Sequence, residues 1–276
     1  MKSLWSKPFS IGIFLLLSIS LSTSFTGCAA AEETYGPAYE VTFASDRPAL
    51  SDLLNIQEKI YSAFVQSMIQ EKYEPLGELA QKLDELVAAN PQNLVVYWKG
   101  YLSYYTAIYY SQVGDKAKSE KEIMSTVEQL EDMEGKNAED YALLCMAKSY
   151  SIQFLSSFKA AVASGKVKDY GEKALSIDPQ NLRAYYVLGS NDYYTPEQYG
   201  GGKKVEEYLL KALEQPDQAV ENPYLPSWGR EETYEMLIKF YIKKEKWDKA
   251  KAKHEEATER FPDSYQIAML ESELEG

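Results

Sequence analysis

The sequence predicts an all-α fold, an array of antiparallel helical hairpins that covers residues 49–276. Beyond residue 48 almost every long segment has the apolar period of a helix, and no segment alternates convincingly as a strand does. Helix-ending turns also recur in similar form, AANPQN at 88–93, SIDPQN at 176–181 and ERFPDS at 259–264, which indicates a repeated unit. We expect about five hairpins, closed by a capping helix in the final SYQIAMLESELEG.

Residues 1–27 have the composition of an export leader. Two lysines precede an apolar run centred on 11–17, small residues follow, and the run is short for a membrane-spanning helix. The stretch FTGC at 25–28 resembles a bacterial lipobox. That resemblance implies cleavage before Cys28 and attachment of lipid to its sulfur, with a location in the bacterial cell envelope, on the periplasmic face or in the outer membrane. The alternative is an ordinary secreted protein whose cysteine lies near the cleavage site by chance.

Residues 28–48 show no sustained period and contain Gly36-Pro37 and Pro48, which predicts a flexible, lipid-anchored tether. The full chain has 29 basic and 42 acidic residues; removal of 1–27 takes away two lysines and no acids, which leaves a net charge of −15. A surface of this sign repels phosphate backbones, so nucleic acid is excluded as an expected partner.

The clearest repeat lies in ETYEMLIKFYIKKEKWDKAKAKHEEATERFP. Small residues there would let two antiparallel helices approach, and large residues would fill the gap between them. The positions that carry this spacing are Tyr234, Leu237, Ile238, Tyr241, Ala250, His254, Ala257 and Pro262. A second unit uses Tyr185, Leu188, Gly189, Val205, Leu209, Ala212 and Leu213. A third uses Leu143, Met146, Ala147, Tyr150, Val167, Gly171, Ala174 and Pro179, with a first helix lengthened by about two turns.

The chain therefore resembles a tetratricopeptide-repeat (TPR) protein over about residues 50–275, with two weaker units inferred in 50–136. That resemblance implies a right-handed superhelical array with a concave groove.

The stretch YYTPEQYGGGKKVEEYLLKAL at 193–213 invites comparison with a phosphate-binding loop. Such a loop needs a preceding strand, four residues between its glycines, and Ser or Thr after the lysine, none of which is found here. We expect a lengthened turn instead, in which Pro196 stops one helix and Lys203 and Lys204 lie in the first turn of the next. The stretch also resembles the T-component family of TRAP transporters, which are lipid-anchored TPR proteins that associate with a solute-binding partner.

The TPR resemblance also implies which first-helix positions line the groove. Its largely aromatic middle would be lined by Trp98, Tyr105, Arg183, Tyr186 and Tyr193, and its charged C-terminal end by Glu232, Glu235, Lys239 and Ile242. The segment YWKGYLSYYTAIYY places its aromatic residues over about 160° of one helix. Neighbouring hairpins could bury that whole arc, or part of it could stay in the groove and bind an extended peptide, a partner's helix or a small apolar solute.

The sequence offers little material for catalysis. His254 and Cys145 fall at helix positions expected to pack, and EQLEDMEGKNAED at 128–140 is expected to be a solvated face and turn. No nucleophile elbow, metal-ligand spacing or dinucleotide fingerprint occurs, so no catalytic, cofactor-binding or metal-binding residue is predicted. The leading hypothesis is an envelope-anchored protein-interaction scaffold. The alternative is a solute-handling accessory that binds a small apolar ligand beside a solute-binding protein, and a hydrolytic enzyme is a distant third.

Overall fold

The computed structural model describes residues 48–216 and 222–274. The expected leader, Cys28 and all but the last residue of the tether at 28–48 lie outside this part of the chain. The described residues form α-helices and short 3-10 turns, without strands. The helices are α1 (Ile56–Gln70), α2 (Glu74–Ala89), α3 (Asn93–Gln112), α4 (Lys116–Asp132), α5 (Ala138–Ser151), α6 (Ser157–Ile177), α7 (Leu182–Tyr194), α8 (Val205–Glu214), α9 (Arg230–Lys243), α10 (Trp247–Arg260), α11 (Tyr265–Met269) and α12 (Glu271–Leu274). Within the same ranges, no helix combines the length and apolar character that a membrane crossing requires.

The helices pair into successive hairpins, α1 with α2, α3 with α4, α5 with α6, α7 with α8, and α9 with α10. The odd-numbered helices contact one another in order and form an inner row, while α2, α4, α6, α8 and α10 form an outer row. The predicted all-α repeat array is therefore confirmed. The capping helix is broken into α11 and α12, which pack on α10 through Ile267, Leu270 and Leu274.

Small residues at the expected repeat positions let neighbouring helices approach closely. A Cβ on Gly171 would lie 2.5 Å from Leu188 Cδ2, and one on Gly189 would lie 2.6 Å from Leu209 Cδ2. Real Cβ atoms do not come this near to another carbon, so only glycine permits the observed packing of α6 on α7 and of α7 on α8.

The lengthened helix of the third repeat is the second helix, and the prediction that placed the extra turns in its first helix is wrong. The first helix, α5, has 14 residues and ends in a 3-10 turn, whereas α6 has 21 residues. The first buried residue of α6 is Ala163, so the six residues before it extend past the packed part of the hairpin.

The glycine stretch is the lengthened turn that the sequence predicts. The first helix ends at Tyr194, and Gly200 and Gly202 adopt positive φ angles of 92° and 78°. Gly202 N–H donates to the Asp192 carbonyl oxygen at 2.9 Å, which folds the turn back onto α7. The next helix begins at Val205, so Lys203 and Lys204 precede its first turn instead of lying in it.

Candidate binding groove

Half-buried tyrosines from several inner helices converge on the concave side of the array. The rings of Tyr104 and Tyr150 lie 5.5 Å apart in an edge-to-face arrangement, which joins α3 to α5. Tyr104 and Tyr194 both raise the pKa of Tyr186 electrostatically, so their hydroxyl groups lie near that of Tyr186. We name Tyr104, Tyr105, Tyr186, Tyr194 and Glu232 the tyrosine trough.

The tyrosine side chains of the trough are partly shielded from solvent. Burial is the main cause that raises the pKa values of Tyr104, Tyr105 and Tyr186 above the usual value of 10.0. Each of these side chains nevertheless keeps part of its surface accessible. A group that is both desolvated and reachable lies at the bottom of a concavity, which is where a bound side chain would replace water.

Glu232 supplies a carboxylate to this aromatic surface. Burial raises its pKa to about 7, and the charges of Glu231 and Glu235 act in the same direction. Its Oε2 accepts the Gly229 N–H at 2.7 Å, which fixes the carboxylate at the start of α9. The trough therefore gains a negative charge as the pH rises through neutrality.

Residues 222–229, which we name the Trp228 loop, fill one end of the concave side. The Trp228 indole is buried, and its Nε1–H donates to the Tyr97 hydroxyl at 2.8 Å. The indole stacks on Tyr101 with ring centroids 5.6 Å apart and meets the edge of Tyr186 at 6.1 Å. The chain thus places its own aromatic side chain where an open groove was expected.

The main chain of the Trp228 loop is held by the first inner helices. Trp98 Nε1–H donates to the Tyr224 carbonyl oxygen at 2.8 Å. Gln57 Oε1 accepts the N–H groups of Ser227 and Trp228 at 2.8 and 3.1 Å. The first hairpin therefore binds the segment that leads into the last one, and the array closes around the trough.

A buried ion pair supports the loop from the opposite side. Arg183 binds the Glu139 carboxylate through two nitrogens, with Nη2 at 2.6 Å from Oε1, and its Nη1 donates to the Trp228 carbonyl oxygen at 3.0 Å. Burial is the largest single influence on the pKa of Arg183 and would lower it, but the charge and hydrogen bond of Glu139, together with Tyr97 and Glu232, outweigh burial and raise that pKa. The expectation that 128–140 is wholly solvated is therefore wrong for Glu139 and Asp140, both of which are buried.

The structure divides the five residues predicted to line the groove. Trp98 is 0% exposed and Arg183 is buried, so neither presents a surface to a ligand in this conformation. Tyr105, Tyr186 and Tyr193 remain partly accessible, and for them binding stays a prediction. Sequence reasoning did not find the Trp228 loop, although a tryptophan among prolines in NPYLPSWG is a sign that a loop is packed.

A small cavity of about 170 Å³ adjoins the trough at the C-terminal ends of α7 and α9. Tyr193, Tyr194 and Phe240 form its aromatic wall, and Lys243 and Lys244 form its rim. The Lys243 Nζ atom lies 4.9 Å from the centroid of the Tyr193 ring, a cation–π distance.

Other reactive groups of the described residues have structural partners. Cys145 is buried, its Sγ donates to the Val167 carbonyl oxygen at 3.2 Å, and burial raises its pKa to about 12. His254 Nε2 lies 3.0 Å from the Ile267 carbonyl oxygen and so ties α10 to α11. Over residues 48–216 and 222–274, no three His, Cys, Asp or Glu side chains are grouped as a metal ion would require.

Two solved structures show what this chain is similar to. A thermophilic TPR protein of Thermus thermophilus superimposes with a TM-score of 0.52 at 16% identity, over 79% of this chain and 98% of that one. The HusA haemophore of Porphyromonas gingivalis superimposes with a TM-score of 0.49 at 18% identity, over 72% of this chain and 96% of that one. No family model and no curated protein matches the sequence. The superposition on the TPR protein supports a TPR-like fold. At so low a sequence identity it indicates nothing about activity.

Proposed function

We propose that this chain is a lipid-anchored interaction protein of the bacterial cell envelope and that its tyrosine trough binds an extended segment of a partner protein. The tyrosine trough is the observation that carries the proposal. Its rings can bury a partner's apolar side chains while the hydroxyl groups accept polar ones. Helical repeat arrays present such a surface on their concave side because their repeats stack in one direction.

The Trp228 loop supports this proposal because it is already an extended segment bound in the groove. Its backbone groups are bonded by side chains of α1 and α3, and its one buried indole acts as the anchor. A partner segment with an aromatic or long apolar side chain would use the same chemistry in the part of the trough that the loop leaves accessible.

Charge favours a basic partner. Above a pH of about 7 the Glu232 carboxylate is ionised. It accepts hydrogen bonds from backbone N–H groups, including that of Gly229, and does not pair with a lysine of its own helix. Glu235, by contrast, pairs with Lys239. The net charge of −15 expected after cleavage at Cys28 would also accelerate the approach of a positively charged protein.

A solute-handling role is the second candidate. The cavity beside Tyr193 offers it a place, but about 170 Å³ is small against the roughly 300–1,000 Å³ of most small-molecule sites. One side chain of a partner fits that volume better than a whole solute does. The resemblance to TRAP T-components, with a solute-binding protein as partner, remains a prediction.

Photocrosslinking in the native envelope tests the proposed groove. Benzoylphenylalanine would replace Tyr194, which is 43% exposed in the trough, or Tyr199, which is 67% exposed in the glycine turn and serves as the matched control. We expect a discrete crosslinked protein from position 194 only, and we expect Glu232→Lys to abolish it. An identical product from position 199, or no product from position 194, would count against the proposal.

Metabolic labelling with an alkyne analogue of palmitate tests the proposed anchor. The full chain should acquire the label and remain with the membrane fraction, and Cys28→Ala should lose both properties. If the unsubstituted chain is cleaved, unlabelled and soluble, the alternative of an ordinary secreted protein is correct.

A further inference from the structure

The N-terminal part of α6 projects from the array with its apolar side chains uncovered. Phe158 is 81% exposed and Val162 is 56% exposed. The six residues before Ala163 add about 9 Å of helix that the α5–α6 hairpin does not need for packing. The spacing of the third repeat also does not include these extra turns, because its second-helix positions start at Val167.

The surrounding sequence is free of acids in an otherwise acidic protein. Residues 141–168 contain no Asp or Glu over 28 positions, whereas 42 acids in 276 residues would place about four there. The same segment contains four lysines, at 148, 159, 166 and 168. Lys148 is engaged with Glu131 across helices, but Lys159 is exposed and forms no ion pair within the described residues.

Helical geometry arranges these residues as an apolar strip with two lysines on one side and one on the other. At 100° per residue, Phe158, Ala161, Val162 and Gly165 fall within about 100° of one another. Lys159 and Lys166 follow on one side of the strip, and Lys168, whose Nζ lies 3.4 Å from Glu172 Oε1, lies on the other. This is the pattern of a helix that lies in the plane of a bilayer interface, where apolar groups reach the acyl boundary and lysines reach the headgroups.

We propose that residues 157–168, which we name the α6 overhang, contact the surface of a bilayer that contains anionic lipid headgroups. The proposal rests on the proposed function in one respect, because a lipid anchor at Cys28 would hold the overhang close to a membrane and so make a weak contact effective.

A lipid surface fits the α6 overhang better than a second protein does. A stable protein interface buries about 800 Å² on each partner, and a strip one helix wide with two exposed apolar side chains does not provide that area.

Vesicle binding by a chain that begins at residue 29 tests the overhang without the anchor. All described helices lie within 48–274, so this chain keeps the whole repeat array. We expect it to sediment with vesicles that contain phosphatidylglycerol and not with vesicles of phosphatidylcholine alone. Because each lysine near an anionic surface contributes about a fivefold gain in binding, Lys159→Glu should weaken binding roughly fivefold to tenfold. Lys203→Glu makes the same change of charge in the glycine turn and should have a smaller effect.

A fluorescent probe locates the contact even if the anchor-free chain binds too weakly to sediment. Cys145 is buried and the sulfur of Cys28 would carry the lipid, so a bimane label on Phe158→Cys would react at that position alone. In the full chain reconstituted in anionic vesicles, the probe should shift to shorter wavelength, and the same probe on Tyr199→Cys should not. Equal spectra at positions 158 and 199, or equal binding of Lys159→Glu and Lys203→Glu, would overturn the proposal. Failure of Cys28 lipidation would leave the vesicle results of the anchor-free chain intact, so the two proposals fail separately.

Discussion

Arg183→Met is expected to destabilise the array and not merely to weaken a ligand contact. Arg183 lies on the position that the repeat spacing assigns to the groove, yet its guanidinium is buried against Glu139 and the Trp228 carbonyl. Methionine keeps most of the apolar stem and removes the charge. Among the described residues, the Glu139 carboxylate would then keep only Asn181 as a partner, through the bond of 2.8 Å from Asn181 Nδ2.

The magnitude follows from the burial of both partners. Removal of one member of a buried ion pair costs about 3–5 kcal/mol, because the other charge loses its compensation while it stays out of water. Typical domains have only about 5–15 kcal/mol of unfolding free energy, so this loss is a large share of the total. With a urea slope near 3 kcal/mol per molar, the denaturation midpoint should fall by about 1 M or more.

Urea unfolding followed by circular dichroism measures the loss of stability. A second substitution tests whether the uncompensated charge of Glu139 causes that loss. The double variant Glu139→Gln with Arg183→Met removes the stranded charge, so it should recover about 1–2 kcal/mol relative to Arg183→Met alone. Lys211→Met, which breaks an exposed pair with Glu207, should leave the midpoint unchanged. If Arg183→Met lowers the unfolding free energy by less than about 1 kcal/mol, the pair does not support the Trp228 loop as argued.

Three further predictions concern the turn, the trough and the core. Gly201→Ala should cost about 1–3 kcal/mol in thermal unfolding, because its Cβ would lie 2.0 Å from the Thr195 carbonyl oxygen, whereas Gly165→Ala on the open face of α6 should gain up to about 1 kcal/mol. The pKa of Glu232 is raised to about 7 in the fold from roughly 4.3 in the unfolded chain, so the folded state keeps a proton that the unfolded state releases. Stability should therefore fall as the pH rises from about 4.5 to 7, and Glu232→Gln should remove that fall when urea midpoints are compared at the two pH values. Cys145, whose pKa burial raises to about 12, should resist iodoacetamide at pH 8 until urea unfolds the chain, and rapid alkylation of the native protein would contradict its placement in the core.

The sequence was sufficient for the array because repeat packing depends on local spacing. Gly171 and Gly189 are recognisable as small residues at fixed positions, and the structure uses each for the close helix contact that the spacing implies. The contacts that shape the groove are of another kind. Trp228 meets Tyr97 across 131 positions and Arg183 meets Glu139 across 44, and no periodic pattern records such pairings. The groove residues were therefore correctly placed on the inner helices, while their burial depended on a loop that the repeat pattern does not include.

Trp98 shows why burial must be known before a groove substitution is interpreted. The sequence places it among the residues expected to line the groove, and its large aromatic surface makes it an obvious target for substitution. In the structure its side chain is 0% exposed and its indole N–H holds the Tyr224 carbonyl, so Trp98→Ala should cost about 3–5 kcal/mol as a core cavity and release one end of the Trp228 loop. Loss of ligand or partner binding in that variant would therefore reflect damage to the fold and not the removal of a binding contact. Tyr194 avoids this confusion because it is 43% exposed, and Tyr194→Ala should leave the unfolding free energy nearly unchanged while it reduces partner crosslinking from the trough. If Tyr194→Ala and Trp98→Ala reduce partner capture only in proportion to their loss of stability, the trough is not the binding surface.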